Sequence, residues 1–185
     1  PTEGVNTLVV TATDVSHNSG TKQFSLQRNT TAPVLTIASP VNGLFTKANT
    51  VTVNGQVTDT NIDSVLVNGQ TATISGNSFT VELPLLTEGD IAITAEATDK
   101  ANNTSSAQVN IVRDVTSPVV TMNSPAPNSF TKENSITVTG QVTEVNLDTV
   151  TVNGVAATIA GDTYSASIPL PLEGENVITV LARDK

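Results

Sequence analysis

Residues able to do covalent or metal chemistry are scarce in this sequence. There is one histidine, His17, one methionine, Met122, and no cysteine or tryptophan. Thiolate catalysis, zinc clusters, haem and disulfide scaffolding therefore lack their side chains. Carboxylates remain. Asp59 with Asp63, and Glu88 with Asp90, have the residue types of a glycosidase acid and base, but that chemistry needs two carboxyl groups flanking a cleft. The segments that carry them are too small to hold both a deep cleft and a core. A turn role is expected of these pairs, and no catalytic residue and no enzyme activity are assigned. His17 cannot belong to a shared triad, because the equivalent position one repeat later holds Asn102. It reads as a solvated loop residue.

Two other chemistries can be weighed on the same residues. Lys47 and Lys132 each precede an asparagine, Asn49 or Asn134, by two positions. Neighbours on one strand cannot cross-link, so an edge lysine that discourages sheet-to-sheet pairing is the plainer reading. Sugar stacking needs aromatic platforms, and the inventory is Phe24, Phe45, Phe79, Phe130 and Tyr164. Phe45 recurs as Phe130 and Phe79 as Tyr164, which points to core packing. Eight basic residues stand against 17 acidic ones, a net charge of -9 and a pI near 4.3. Such a surface repels a phosphate backbone, so no nucleic-acid partner is expected. The segment has no apolar run long enough to span a membrane, and Pro1 to Val10 lack the start of a secretion signal.

What must position these residues is β-structure. Thr occurs 31 times and Val 25 times, and both are β-branched residues that favour strands. The chain repeats with a period of 85 residues: Pro33 to Lys100 and Pro118 to Lys185 align without gaps, with 34 of 68 positions identical. Residues 1–32 are read as the C-terminal part of one repeat, 33–117 as a complete repeat, and 118–185 as a repeat lacking its last strand. Seven strands are expected in the complete copy: Val34 to Ile37, Thr50 to Val57, Ser64 to Val67, Gln70 to Ile74, Ser78 to Leu83, Ile91 to Thr98 and Ser106 to Val112. Apolar residues at period two in Ile93, Ala95 and Ala97, and at the equivalent Leu8, Val10, Ala12 and Ile178, Val180, Ala182, are assigned to the core. Asn68-Gly69 and Asn153-Gly154 call for tight hairpins with positive φ at both residues. Gly55 and Gly140 interrupt a strand, which suggests a bulge or a close backbone approach.

Taken together, Pro33, Val34, Ser39, Pro40, Gly55, Val57, Thr58, Asp59, Val65, Val67, Asn68, Gly69, Glu88, Gly89, Ala97, Thr98, Asp99 and Asn103 form a pattern. It resembles a bacterial immunoglobulin-like tandem repeat, closest to the glucodextranase-B-like module. The resemblance implies an all-β fold of tandem immunoglobulin-like β-sandwiches of about seven strands each, used in strings on secreted or surface proteins or beside extracellular carbohydrate-active enzymes. It implies no activity for the module itself. The third copy departs from it at Glu144 and Arg183, in place of Asp59 and Thr98.

On such a sandwich the loops after Val57 and Thr98 share one pole with the incoming linker. Asn29, Asp59 and Asp99 then meet at one joint, and Asp114, Glu144 and Asp184 at the next. Converging oxygens of this kind suit calcium. The alternative is that Asp14, Asp99 and Asp184 cap their own turns, with Asn18 and Asn103 taking left-handed positions. The linkers Arg28 to Pro33 and Arg113 to Pro118 end in proline, which stiffens them. The function expected is a non-catalytic stalk or spacer of a bacterial cell-surface or secreted protein, adhesin-like and extracellular, whose partners are neighbouring repeats of the same chain. The alternatives are an accessory string of an extracellular carbohydrate-active enzyme, or a filament subunit self-associating by strand exchange, since the end strands leave open edges.

Overall fold

The computed structural model describes residues 2–185, and every regular element among them is a β-strand. The chain divides into two compact units, Pro1–Arg113 and Asp114–Lys185.

The first unit opens with an antiparallel hairpin of β1 (Gly4–Thr13) and β2 (Ser19–Arg28). A complete sandwich follows, made of β3 (Val34–Ser39), β4 (Leu44–Thr46), β5 (Thr50–Thr58), β6 (Ile62–Val67), β7 (Gln70–Thr71), β8 (Thr73–Ser75), β9 (Ser78–Pro84), β10 (Gly89–Asp99) and β11 (Thr104–Arg113). One sheet has the order β3-β5-β9-β8 and the other β4-β11-β10-β6-β7. Strict alternation along β5 and β9 sends Val53, Val57, Phe79, Val81 and Leu83 inward, where they meet Val65, Val67, Ile93, Ala95, Ala97 and Ile111 of the facing sheet. Each fully buried Val, Ile or Phe contributes about 1.5–3 kcal/mol.

Three features differ from the sequence reading. Leu44–Thr46 was not expected as a strand; it is only three residues long and pairs in parallel with β11, far along the chain. The single strand Gln70 to Ile74 is two, because the chain crosses between sheets at buried Ala72: β7 pairs with β6, and β8 with β9. Leu8 and Val10 are 53% and 59% exposed, although their counterparts Ile93 and Ala95 are 0% exposed. A two-stranded hairpin has no second sheet to cover that face.

Gly55 behaves as its interruption of the strand suggests. The register of β3 against β5 slips between Ile37 and Ser39, opposite Gly55. A Cβ at Gly55 would overlap the Thr36 carbonyl oxygen and stand 2.6 Å from Cε1 of Phe79. The Asn68-Gly69 turn has φ of 47° and 81°, as a type I′ hairpin requires. Its side chain does more than turn the chain: Asn68 Nδ2 donates to the Ala92 carbonyl at 3.0 Å, and Asn68 Oδ1 accepts from Thr94 N at 2.9 Å. The amide thereby acts as one more peptide group in the ladder between β6 and β10.

The second unit repeats the plan with β12 (Val119–Ser124), β13 (Ser135–Thr143), β14 (Leu147–Val152), β15 (Val155–Ala156), β16 (Thr158–Ala160), β17 (Thr163–Pro169) and β18 (Val180–Asp184). Its sheets are β12-β13-β17-β16 and β15-β14-β18. β18 is five residues where β10 is 11. In the first unit the strand partner of Gly89 to Thr94 is β11, with β6 reaching them only through Asn68, and residues 118–185 contain no counterpart of β11. Phe130 shows the same effect. Phe45 lies opposite Val112 of β11, whereas Phe130 is 101% exposed, which corrects its assignment to the core. Phe79 and Tyr164 are core residues, each 1% exposed.

Candidate functional site

The polar residues that recur most regularly meet where one repeat passes into the next. Each begins as a local turn. After β1, Asp14 Oδ1 accepts the backbone N–H groups of Ser16 and Asn18, both at 2.9 Å, and Asp14 Oδ2 accepts Asn18 Nδ2 at 3.0 Å. After β10, Asp99 does the same with Ala101 N, Asn103 N and Asn103 Nδ2, all at 2.8 Å. Aspartate suits both places because its short side chain can bond the backbone two and four residues on. The left-handed residues of these turns are His17 (φ 68°) and Asn102 (φ 65°), not Asn18 and Asn103, whose side chains grip the aspartate instead.

The two turns differ in what lies over them. Asp14 is exposed, whereas Asp99 is 1% exposed. Asn29 of the linker donates from Nδ2 to Asp99 Oδ2 at 2.8 Å, and the Asn29 carbonyl accepts Asn103 Nδ2 at 3.2 Å. The other side of the linker is held by the preceding hairpin. Glu3 accepts from Thr30 N at 2.8 Å, Thr30 Oγ1 at 2.9 Å and Arg28 Nη1 at 3.0 Å. Residues 28–30 are thus fastened to Glu3 behind and to Asp99 ahead.

Both carboxylates are tuned for this work. Hydrogen bonds from Asn103, first its side chain and then its backbone, hold the Asp99 carboxyl below the usual aspartate range against the opposing effect of desolvation. Glu3 is likewise lowered, chiefly by the backbone and hydroxyl of Thr30 and least by the Arg28 charge. Asp14 is lowered by Asn18.

These positions bear directly on the calcium expectation. The structure does bring Asn29 to Asp99, but Asn29 turns its N–H group to the carboxylate. Asp99 accepts four hydrogen bonds, which fills the lone-pair sites of a carboxylate. It acts as the turn cap of the alternative reading. Asp59 Oδ1 accepts Asn61 N at 2.6 Å, and Asp59 shares with Glu3, Arg28 and Asn29 the wall of an open concavity of about 400 Å³. In the second unit Asp114 Oδ2 accepts Asn146 Nδ2 at 2.7 Å, while Glu144 Oε1 accepts Val145 N at 2.7 Å and Asn146 N at 3.1 Å. Asp184 is paired through its backbone with Leu147. Among the described residues no three His, Cys, Asp or Glu side chains form a group able to hold a metal ion. Glu3, Thr30, Asn103 and Asn146 were missed as joint residues by sequence reasoning. The spacing of Asp14 to Asn18, repeated by Asp99 to Asn103, was the available signal.

Two sheets packed face to face, repeated in tandem and joined by hydrogen-bonded linkers, define a tandem immunoglobulin-like or fibronectin(III)-like module. The family model of glucodextranase domain B matches residues 33–115 and 118–185, and the chain belongs to that family. It is 32% identical over 158 residues to Bacillopeptidase F of Bacillus subtilis (strain 168), an alignment covering 83% of this chain and 11% of that protein. Among solved structures, the fibronectin(III)-like modules of Clostridium thermocellum CbhA match with a TM-score of 0.52 and 17% identity, over 82% of this chain and 86% of that one. That likeness concerns the fold alone. No helix among the described residues is long and apolar enough to cross a membrane.

Proposed function

We propose that the chain is a non-catalytic spacer segment of a bacterial secreted or cell-surface protein, holding the parts on either side of it at a set separation. The observation that carries this reading is the linker of residues 28–30, bonded to Glu3 of the preceding repeat and to Asp99 of the following one. A chain that needed only connection would leave such a linker free. The net charge of -9 adds mutual repulsion between neighbouring chains.

A second reading, an accessory string of an extracellular enzyme, is favoured by the identity with Bacillopeptidase F. The two are compatible, since a spacer can serve an enzyme as well as an adhesin; the flanking sequence decides between them. The spacer reading is tested by small-angle scattering on chains with the 33–117 repeat present once or duplicated. From strand dimensions each added repeat should lengthen the molecule by roughly 35–40 Å. No growth, or growth as the square root of length, would mean a flexible tether.

A further inference from the structure

After their shared arginine the two linkers carry different residues at equivalent positions, Asn29 and Asp114. Both use Oδ1 in the same way, accepting the N–H two residues on: Thr31 N at 3.0 Å and Thr116 N at 3.1 Å. They part company at the other end of the side chain. Asn29 donates to Asp99. Asp114 has no proton to donate, and the residue at the Asp99 position, Asp184, carries the same charge. Asp114 accepts instead from Asn146, in the turn before β14.

The donor on the turn is set by its own neighbour. Asn61, the counterpart of Asn146, gives its Nδ2 to Thr60 Oγ1 at 3.1 Å. At the Thr60 position the second unit has Val145, whose side chain offers no oxygen, so the Asn146 amide is available to the linker. A bond to an ionised acceptor is about twice as strong as a neutral one, which favours Asp114 over water as its partner. Asn29 therefore goes with Thr60, and Asp114 with Val145.

We propose that the linker residue after the arginine, Asn29 or Asp114, together with the residue preceding the turn asparagine, selects which turn of the following repeat fastens the linker: an amide with threonine selects the Asp99 turn, a carboxylate with valine the Asn146 turn. Each linker is then fastened to the repeat that follows it by its own pair of side chains, a refinement that rests on the spacer reading for its use. Side-chain amide signals in nuclear magnetic resonance spectra of the full chain test it. D114N should remove the shift and exchange protection of the Asn146 amide and give a new protected amide beside Asp184. N29D/T60V should transfer protection from the Asp99 turn to Asn61, while N29D alone leaves Asn61 on Thr60. If Asn146 is unchanged in D114N, or Asn61 is unchanged in a folded N29D/T60V chain, the selection rule is wrong. Should N29D/T60V fail to fold, D114N decides alone. These signals report the fastening whether or not the array is stiff, so their failure leaves the spacer reading to scattering.

Discussion

Replacing Gly55 by alanine adds one methyl group where the sandwich has no room for it. In most strand positions the change would be favourable, because alanine restricts the unfolded chain and removes the entropic penalty of glycine, by about 0.5–1 kcal/mol. Here the new carbon would overlap the Thr36 carbonyl oxygen and lie 2.6 and 2.7 Å from Cε1 and Cζ of Phe79. The ring, 1% exposed and packed in the core, would have to withdraw by most of an ångström. The carbonyl belongs to β3, whose ladder to β5 runs from Val34 to Ser39, and it cannot move without loosening that pairing. Overpacking of this kind costs about 1–3 kcal/mol, and an obstruction by backbone belongs at the top of that range. At about 4–8 °C per kcal/mol for a domain of this size, the melting transition should fall by roughly 12–24 °C. Thermal melts followed by circular dichroism measure it, with G20A as control, since a Cβ at Gly20 meets nothing within 4 Å. In G55A/F79L the ring is relieved and the carbonyl is not, so the double variant should not regain the stability of F79L alone. A G55A chain that melts as the parent does, or a full rescue by F79L, would refute the reasoning.

Three further outcomes are expected. H17N relieves a histidine held at φ 68° and should slow amide exchange across the β1–β2 turn, by an amount equivalent to roughly 0.5–1 kcal/mol; unchanged exchange would mean the turn carries no such strain. Asp99 and Glu3 have lowered folded pKa values, so their contribution is present above the ordinary carboxylate range and is lost as pH falls through the folded values; melting temperature should drop on acidification, and less steeply in E3Q/D99N than in the parent. Parallel acid limbs would contradict that linkage. Because the acceptor sites of Asp99 are filled, millimolar calcium should leave the melting temperature unchanged, whereas a concentration-dependent rise would reveal binding to the folded state.

The period-two alternation made the sandwich legible, since a strand with one wet face writes its burial directly into sequence. β4 was not legible, because three residues carry no period and its partner lies in β11. The split at Ala72 was hidden for a related reason: crossing between sheets keeps the inward residue apolar on both sides. At the joint, the place was readable and the chemistry was not. Asn29 and Asp99 do meet, but an asparagine presents an oxygen or an N–H group, and only the Thr31 N–H that occupies its oxygen decides which. Glu3 holds the position of Glu88 one repeat earlier; its grip on Thr30, 27 residues away, leaves no local mark.

Hydrogen bonds from the repeat on either side hold the linker of residues 28–30. The absence of cysteine allows two to be introduced for spin labels at exposed positions, Val15 on the first hairpin and Leu86 on the following sandwich, which are 99% and 86% exposed. Pulsed dipolar spectroscopy then reads the distribution of distances across residues 28–30. A single narrow distribution in the parent, broadened in E3A/N29A with both parts still folded, is the result predicted. A parent distribution already as broad as that of E3A/N29A would contradict it.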